Sequence, residues 1–217
     1  LILIGNRDEF HARPSAPIHN WQDGSGIMAG RDLRAGGTWL GIHPASSRIV
    51  VVTNIRGVDP DPSKSSRGAL VTQILTGSGP YAQPRLDQLD EFNAFNLLTV
   101  EAGEARIITN RPAPLIERMT QGIIALANVP AFTPCPRAER LHGLLSQCAA
   151  SGSDPHELLN ALRQEDDPAL FLRDDDYGTR VSTLLTINGT GEIEMTENRY
   201  EAGGRPAGTT ALKSRLA

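Results

Sequence analysis

Strand-like apolar patterns occur at both ends of this 217-residue chain, and helix-like patterns occupy much of the middle. The early strands are predicted at residues 1–5, 38–42 and 48–53, and a closing hairpin at 182–187 and 192–196. Helices are predicted to begin at Ser66, Pro136 and Asp154. This grouping differs from the strict strand–helix alternation of a doubly wound sheet, so it predicts an α+β fold.

The central part of the chain adds a hairpin and a buried strand to this prediction. Residues 96–100 and 105–109 form the predicted hairpin, with its turn at Ala102 and Gly103. The apolar run at 123–127 predicts a buried strand, whereas the proline-rich stretch 13–17 predicts a loop. Two stacked sheets covered by helices would fit this order of elements.

Composition narrows the classes of protein to which the chain can belong. Hydrophobic residues make up 39% and charged residues 21%, as in an ordinary globular domain, and we expect one domain over residues 1–217. The net charge of −4 argues against nucleic acid as a partner. The apolar runs are far shorter than the roughly 18 residues of a membrane span. Two cysteines make no disulfide framework, so we expect a cytoplasmic protein. The sequence does not indicate an oligomeric state.

A polar group, Asn6-Arg7-Asp8-Glu9, directly follows the first apolar run. It is predicted to lie where a buried strand emerges, and a solvated turn is the alternative interpretation. Three later segments accompany it, namely 30–32 (Gly-Arg-Asp), 36–41 (Gly-Gly-Thr-Trp-Leu-Gly) and 53–56 (Thr-Asn-Ile-Arg). This ordered set resembles the NRDE family, also called the transport-and-Golgi-organisation family, over nearly the whole chain.

The resemblance implies a fold and a chemistry. The NRDE family is similar to the N-terminal-nucleophile hydrolases, above all bile-salt hydrolase and penicillin V acylase, which have a four-layer αββα sandwich. In those enzymes the first residue of the mature chain attacks an amide, and its own α-amine is the base. Since this chain begins with Leu1, we expect a cysteine and a first strand ahead of it, and we expect residues 1–217 alone to be inactive.

Three residues match supporting roles in the acylases. Asp8 resembles the acid that holds the nucleophile and its amine, and Glu9 competes with Asp8 for that role. Asn128 resembles the oxyanion-hole asparagine, and Arg180 resembles an arginine that lowers the pKa of the nucleophile. Asn54 is a weaker fourth candidate. The remaining motif or pocket residues are Asn6, Arg7, Thr38 and Trp39.

Each of these residues also has a structural interpretation. Asp8 could cap a turn, with Arg7 as its surface partner, and Asn128 could end a strand. Arg180 could form an ion pair with one of the three acids at 174–176. The sequence leaves these alternatives open.

The resemblance also implies a second class of function, a carrier or chaperone for haem or a lipid. Cys135-Pro136 is a pair of the kind that ligates haem through thiolate, although Pro136 is equally a helix-starting residue. The five histidines have no metal-ligand spacing. We expect no required cofactor and no metal, with haem as a possible cargo. Both classes of function imply a small-molecule ligand or substrate.

Overall fold

A computed structural model describes residues 1–119 and 122–217. These residues combine two β-sheets with a few helices, so the predicted mixture of α and β structure is confirmed. The strands are β1 (Ile2–Phe10), β2 (Ser15–Asn20), β3 (Met28–Asp32), β4 (Leu40–His43), β5 (Arg48–Asn54), β6 (Phe95–Glu101), β7 (Glu104–Thr109), β8 (Leu115–Met119), β9 (Tyr177–Ile187), β10 (Glu192–Tyr200) and β11 (Pro206–Arg215). The α-helices are α1 (Arg67–Thr76), α2 (Pro136–Ser151) and α3 (Glu157–Ala161), and 3-10 helices occur at Pro44–Ser46, Leu86–Glu91 and Ala202–Gly204.

The backbone divides into two compact units, and each is described by itself. Unit 1 contains residues 1–18 and 136–216, and unit 2 contains residues 19–135 with residue 217. Sheet A has the strand order β1-β9-β10-β11. Sheet B has the order β2-β3-β4-β5-β6-β7-β8. The single-domain assignment and the four-layer arrangement stay predictions.

In unit 1, helices α2 and α3 cover one face of sheet A. Ile4 and Leu184 lie opposite each other on β1 and β9 and pack into one apolar cluster with the helices. The cluster comprises Ile4, Cys148, Leu158, Leu159, Leu162, Leu170 and Leu184. Each leucine buried in this way stabilises the fold by roughly 2 kcal/mol. The opposite face of sheet A is buried as well, since Leu185 and Met195 have at most 1% of their surface exposed.

In unit 2, helix α1 packs on one face of sheet B. Ser66 caps the helix by accepting a hydrogen bond from the Ala69 amide, and Gly77 ends it in the left-handed conformation at φ 66°. The buried stripe of the helix is the predicted one, Leu70, Val71, Ile74 and Leu75. The helix packs on β4 and β5, and its stripe shares one apolar cluster with residues of β5, β6 and β7. The other face of this sheet also carries buried residues, such as Ile42 and Ile49.

The structure corrects the predicted position of the Asn6–Glu9 group. Strand β1 does not end at Gly5 but continues through all four residues to Phe10, so the group is neither a turn nor a strand exit. Polar residues are possible inside this strand because their side chains find partners on distant segments, which the sequence does not show.

Residues 123–127 are likewise not a strand. They are half-buried and have no strand pairing, although their composition is strand-like.

The edge strands of both sheets also differ from the prediction. Residues 15–17 were predicted to be loop but begin β2. This strand is at one edge of sheet B, where a proline such as Pro17 is tolerated. Strand β11 was not predicted from the sequence, because it is a largely exposed edge strand of sheet A without a clear alternation of apolar residues.

Candidate active site

The first residue of the motif, Asn6, ties β1 to the segments that surround it in unit 1. Its amide nitrogen donates to the carbonyl oxygens of Leu162 and Leu170, both at 2.9 Å. Its amide oxygen accepts from the Ser182 hydroxyl at 2.6 Å, on the paired residue of β9. Asn6 therefore joins three segments, and this geometry is that of a fixed structural side chain.

Asp8 is held from two sides. Its carboxylate accepts a hydrogen bond from the Thr179 hydroxyl at 2.8 Å and one from the Arg137 guanidinium at 3.0 Å. Only 7% of its side chain is exposed. Arg137 also donates to the Leu170 carbonyl at 2.6 Å, and the Tyr177 hydroxyl donates to the backbone oxygen of Asp8 at 3.1 Å. The carboxylate thus has a fixed position and orientation near the N-terminal end of strand β9.

Arg180 is the extra residue of a β-bulge. Arg7 pairs with Val181 and Asp8 with Thr179, so Arg180 has no partner position on β1. Its Nη1 donates to three backbone carbonyls at the end of β1 and just beyond, at 3.0 to 3.1 Å, those of Phe10, His11 and Arg13. Its Nε is buried without a hydrogen-bond partner in the described part of the chain.

The ion pair between Arg180 and an acid of residues 174–176 is not found among the described residues. The guanidinium instead holds the backbone that follows β1. Its predicted effect on the pKa of a nucleophile stays a prediction.

Arg7 lies beside two carboxylates rather than on the surface. Its guanidinium is 3.6 Å from Glu9, and only 9% of its side chain is exposed, so the alternative interpretation of Arg7 as a surface residue does not hold. Glu9 is also 3.7 Å from Arg13. Glu197, on β10, is completely buried, and burial raises its pKa although Arg199 and Arg7 act to lower it.

Asn54 and Asn128 belong to unit 2 and contact each other there. The Asn128 side-chain nitrogen donates to the Asn54 carbonyl oxygen at 2.8 Å. The Arg56 amide donates to the Asn128 carbonyl oxygen at 3.0 Å. The predicted catalytic residues are therefore divided, with Asp8 and Arg180 in unit 1 and the two asparagines in unit 2.

Thr38 and Trp39 lie next to helix α1 in unit 2. Thr38 is buried, and its hydroxyl donates to the Leu40 carbonyl at 3.0 Å, while Trp39 is half-buried. The preceding Gly37 packs on the first turn of α1, since a Cβ at this position would lie 2.4 Å from the Gly68 carbonyl carbon. These motif residues therefore shape the contact between a loop and a helix.

Comparison with known proteins places these features in a family. The profile described as "Transport and Golgi organisation 2" matches residues 1–202. The chain belongs to this family. It is similar to the "Transport and Golgi organization 2 homolog" of Mus musculus and to the Homo sapiens homolog, with 29% identity to each over 238 aligned positions. Both matches cover 91% of this chain and 85% of the relative. The Drosophila melanogaster protein of that name is 31% identical over 140 positions, 56% of this chain and 49% of its own.

Cys135, the predicted haem ligand, is a half-buried free thiol immediately before α2, where Pro136 is the first helical residue. Its role as a haem ligand stays a prediction. Within residues 1–119 and 122–217, no three His, Cys, Asp or Glu side chains are placed to hold a metal ion. No helix of the described part is long and apolar enough to cross a membrane.

Three residues of this family member contribute to the site and were not identified from sequence. Arg137 and Thr179 fix Asp8, and Asn96 makes several hydrogen bonds around Asn128. Arg137 lies 129 positions from Asp8, and Asn96 more than 30 from its partners in the segment around Asn128. A single sequence carries no signal for such pairs, whereas correlated substitutions among relatives would.

Proposed function

We propose that the protein is an amidohydrolase of the N-terminal-nucleophile type that acts on a small N-acyl amide. The observation that carries the proposal is the fixed, largely buried Asp8 carboxylate at the bulge between β1 and β9. Bulges are frequent next to active sites, where they redirect side chains. Asp8 is the residue that the family resemblance matches to the acid of the acylases.

The chemistry needs a carboxylate that holds the α-amine of the nucleophile in a fixed place. Arg137 and Thr179 each donate one hydrogen bond to Asp8, so its orientation is set before a substrate binds. In the proposal Asp8 holds the amine, Asn128 donates to the oxyanion, and Arg180 is a fixed positive charge.

The proposed nucleophile is a cysteine encoded ahead of Leu1. Its thiol would attack the amide carbonyl while its α-amine takes the thiol proton, which then passes to the leaving amine. Water would hydrolyse the resulting thioester and release the acid. Cys135 and Cys148 do not serve as this nucleophile, since neither can offer a free α-amine.

The four-layer αββα sandwich is part of the same proposal. Its support comes from each unit separately, because helices cover one face of sheet A and one face of sheet B. In both sheets the opposite face is buried too, as an inner layer of a sandwich requires.

The test uses protein expressed from its complete gene. N-terminal sequencing and intact mass should show a mature chain that begins with cysteine, and a thiol-directed N-acyl reagent should label that residue stoichiometrically. A library of N-acyl amides should then show turnover, and Asp8→Asn should lower kcat by about 10²-fold or more. Asp59→Asn, on an exposed loop, is the matched control and should leave kcat unchanged.

A mature chain that begins with anything other than Cys, Ser or Thr would overturn this proposal. In that case the carrier alternative gains support, and added haem provides its test. A saturable shift of the Soret band that is lost in Cys135→Ala would favour haem carriage through that thiolate.

A further inference from the structure

A stretch without strand pairing, residues 127–131, makes most of its side-chain hydrogen bonds with one buried residue, Asn96. Asn96, on β6, is completely buried, and its amide nitrogen donates to the carbonyl oxygens of Ala127 at 3.1 Å and Val129 at 2.7 Å. These two carbonyls stand on either side of Asn128. Asn96 therefore hydrogen-bonds the backbone on both sides of Asn128, the predicted oxyanion-hole residue.

The oxygen of the same amide completes the arrangement. It accepts hydrogen bonds from the Ala131 amide and from the Thr109 hydroxyl, both at 3.0 Å. Both donor hydrogens of Asn96 are then in use, and its oxygen accepts from the Ala131 amide. A buried amide that is bonded at both its nitrogen and its oxygen has one orientation, so it can impose one position on the segment that it holds.

Neighbouring groups hold the segment from β5. The Thr53 hydroxyl donates to the Ala127 carbonyl at 3.2 Å, and the Asn128 side chain donates to the Asn54 carbonyl at 2.8 Å. The Arg56 amide donates to the Asn128 carbonyl at 3.0 Å. The segment thus has few backbone ladder bonds and depends on side chains for its position.

We propose that Asn96 is a positioning residue that sets the location of Asn128, an inference that rests on the proposed function. An oxyanion donor acts only when it lies about 2.7–3.1 Å from the developing charge, so a small displacement removes most of its effect. Asn96 does not need to touch substrate to control catalysis in this way.

The experiment compares Asn96→Ala with Asn110→Ala in full-length protein. Asn110 is a matched control because it is equally buried and its side chain also bonds at both its oxygen and its nitrogen, to the Phe95 amide and to the carbonyls of Leu89 and Phe92. No bond of Asn110 reaches residues 127–131. Asn96→Ala should lower kcat by about 10²-fold with little change in KM, whereas Asn110→Ala should change stability but not kcat.

Two further variants keep the test sharp. Thr53→Val removes one bond to the same segment and should lower kcat less, which covers the case in which Asn96→Ala does not fold. In an Asn96→Ala, Asn128→Ala double variant, kcat should be no lower than in Asn128→Ala alone, since both changes remove one function. Additive losses would show that Asn96 acts independently of Asn128 and would overturn the inference.

Hydrogen exchange separates this inference from the proposed function. Asn96→Ala and Thr53→Val should speed exchange of the Arg56 amide, which bonds the Asn128 carbonyl, and Asn110→Ala should not. Unchanged exchange at Arg56 would overturn the positioning role even if turnover exists. If wild-type protein turns over no amide, the proposed function fails and with it the catalytic part of this inference, while exchange still decides whether Asn96 fixes the segment.

Discussion

At the scale of single residues, Arg137 supplies Asp8 with a charged hydrogen-bond donor. Arg137→Met keeps much of the side-chain volume but removes the charged donor, which leaves a largely buried carboxylate with one bond fewer. We expect the free energy of unfolding to fall by about 2–3 kcal/mol, measured by urea denaturation.

Arg118→Met is the control for this loss. Arg118 lies 3.6 Å from Glu104 but is 70% exposed, so its replacement should change the free energy of unfolding by less than about 0.5 kcal/mol. Equal losses in the two variants would contradict the structural role assigned to Arg137.

Glu197 makes the stability of the protein depend on pH. Burial raises its pKa above the ordinary value of 4.5, so the folded state holds this proton more tightly than the unfolded state does. Its contribution to stability is full below about pH 4.5 and is lost as pH rises through the raised pKa of the folded state. Glu197→Gln should remove this loss, so the variant should gain stability relative to wild type as pH rises through that window.

Urea denaturation at several pH values from about 4 upward measures the effect of Glu197. Glu194→Gln, on the same strand but with 32% of its side chain exposed, is the control. Curves of stability against pH that run parallel for wild type and Glu197→Gln would contradict the prediction.

At the scale of elements, the contact between Gly37 and helix α1 leaves no room for a side chain. A Cβ on Gly37 would lie 2.4 Å and 2.5 Å from the carbonyl carbon and oxygen of Gly68, which are backbone atoms that cannot move alone. Gly37→Ala should therefore lower the free energy of unfolding by about 1–3 kcal/mol.

Gly143→Ala should have the opposite sign. Gly143 lies inside α2, and a Cβ there meets nothing within 4 Å, so alanine should stabilise the helix by about 0.5–1 kcal/mol. Thermal or urea unfolding of the two variants measures the contrast. A neutral Gly37→Ala variant would show that the loop can move away from α1.

Elements with strong local signals were predictable from the sequence. Helix α1 was predicted because Ser66 and Gly77 mark its ends, and the β6–β7 hairpin because two apolar runs flank Ala102 and Gly103. In the structure these two residues have positive φ, at 50° and 79°. Residues 123–127 were predicted wrongly as a strand. Their apolar composition does not show that the Ala127 carbonyl is bonded by the side chains of Asn96 and Thr53 rather than by the backbone of a neighbouring strand.

The candidate site was predictable in part for the same reason. The polar residues at 6–9 were identified from the sequence, but the partners that define their roles come from segments far along the chain. Thr179 lies 171 residues from Asp8, and Ser182 lies 176 from Asn6. No local pattern connects residues at such separations.

At the scale of the whole molecule, the two units differ in how far apart their paired strands lie in the chain. Strands β6 and β7 of unit 2 are joined by a short turn, whereas β1 and β9 of unit 1 pair across most of the sequence. Bringing β1 and β9 together closes a much longer loop than bringing β6 and β7 together, so it costs more conformational entropy before the contacts between the strands form. We therefore expect amides of β6 and β7 to gain protection before those of β1 and β9.

Pulse-labelled hydrogen exchange during refolding measures this order of events. Amides of the β9–β10 hairpin serve as an internal control, since their pairing is local although they belong to unit 1. Simultaneous protection of β1 and β7 would contradict the prediction and would indicate that unit 1 and unit 2 fold in one step.

The bulge at Arg180 would allow this charged residue to be lost in evolution without a change in the pairing of β1 and β9. Because Arg180 has no partner position on β1, a deletion of this one residue would leave Thr179 opposite Asp8 and Val181 opposite Arg7. A deletion elsewhere in β9 would instead turn every following side chain to the other face. If a relative lacks one residue at the position of Arg180, we therefore expect it to have lost the guanidinium but to have kept the pairing of β1 with β9.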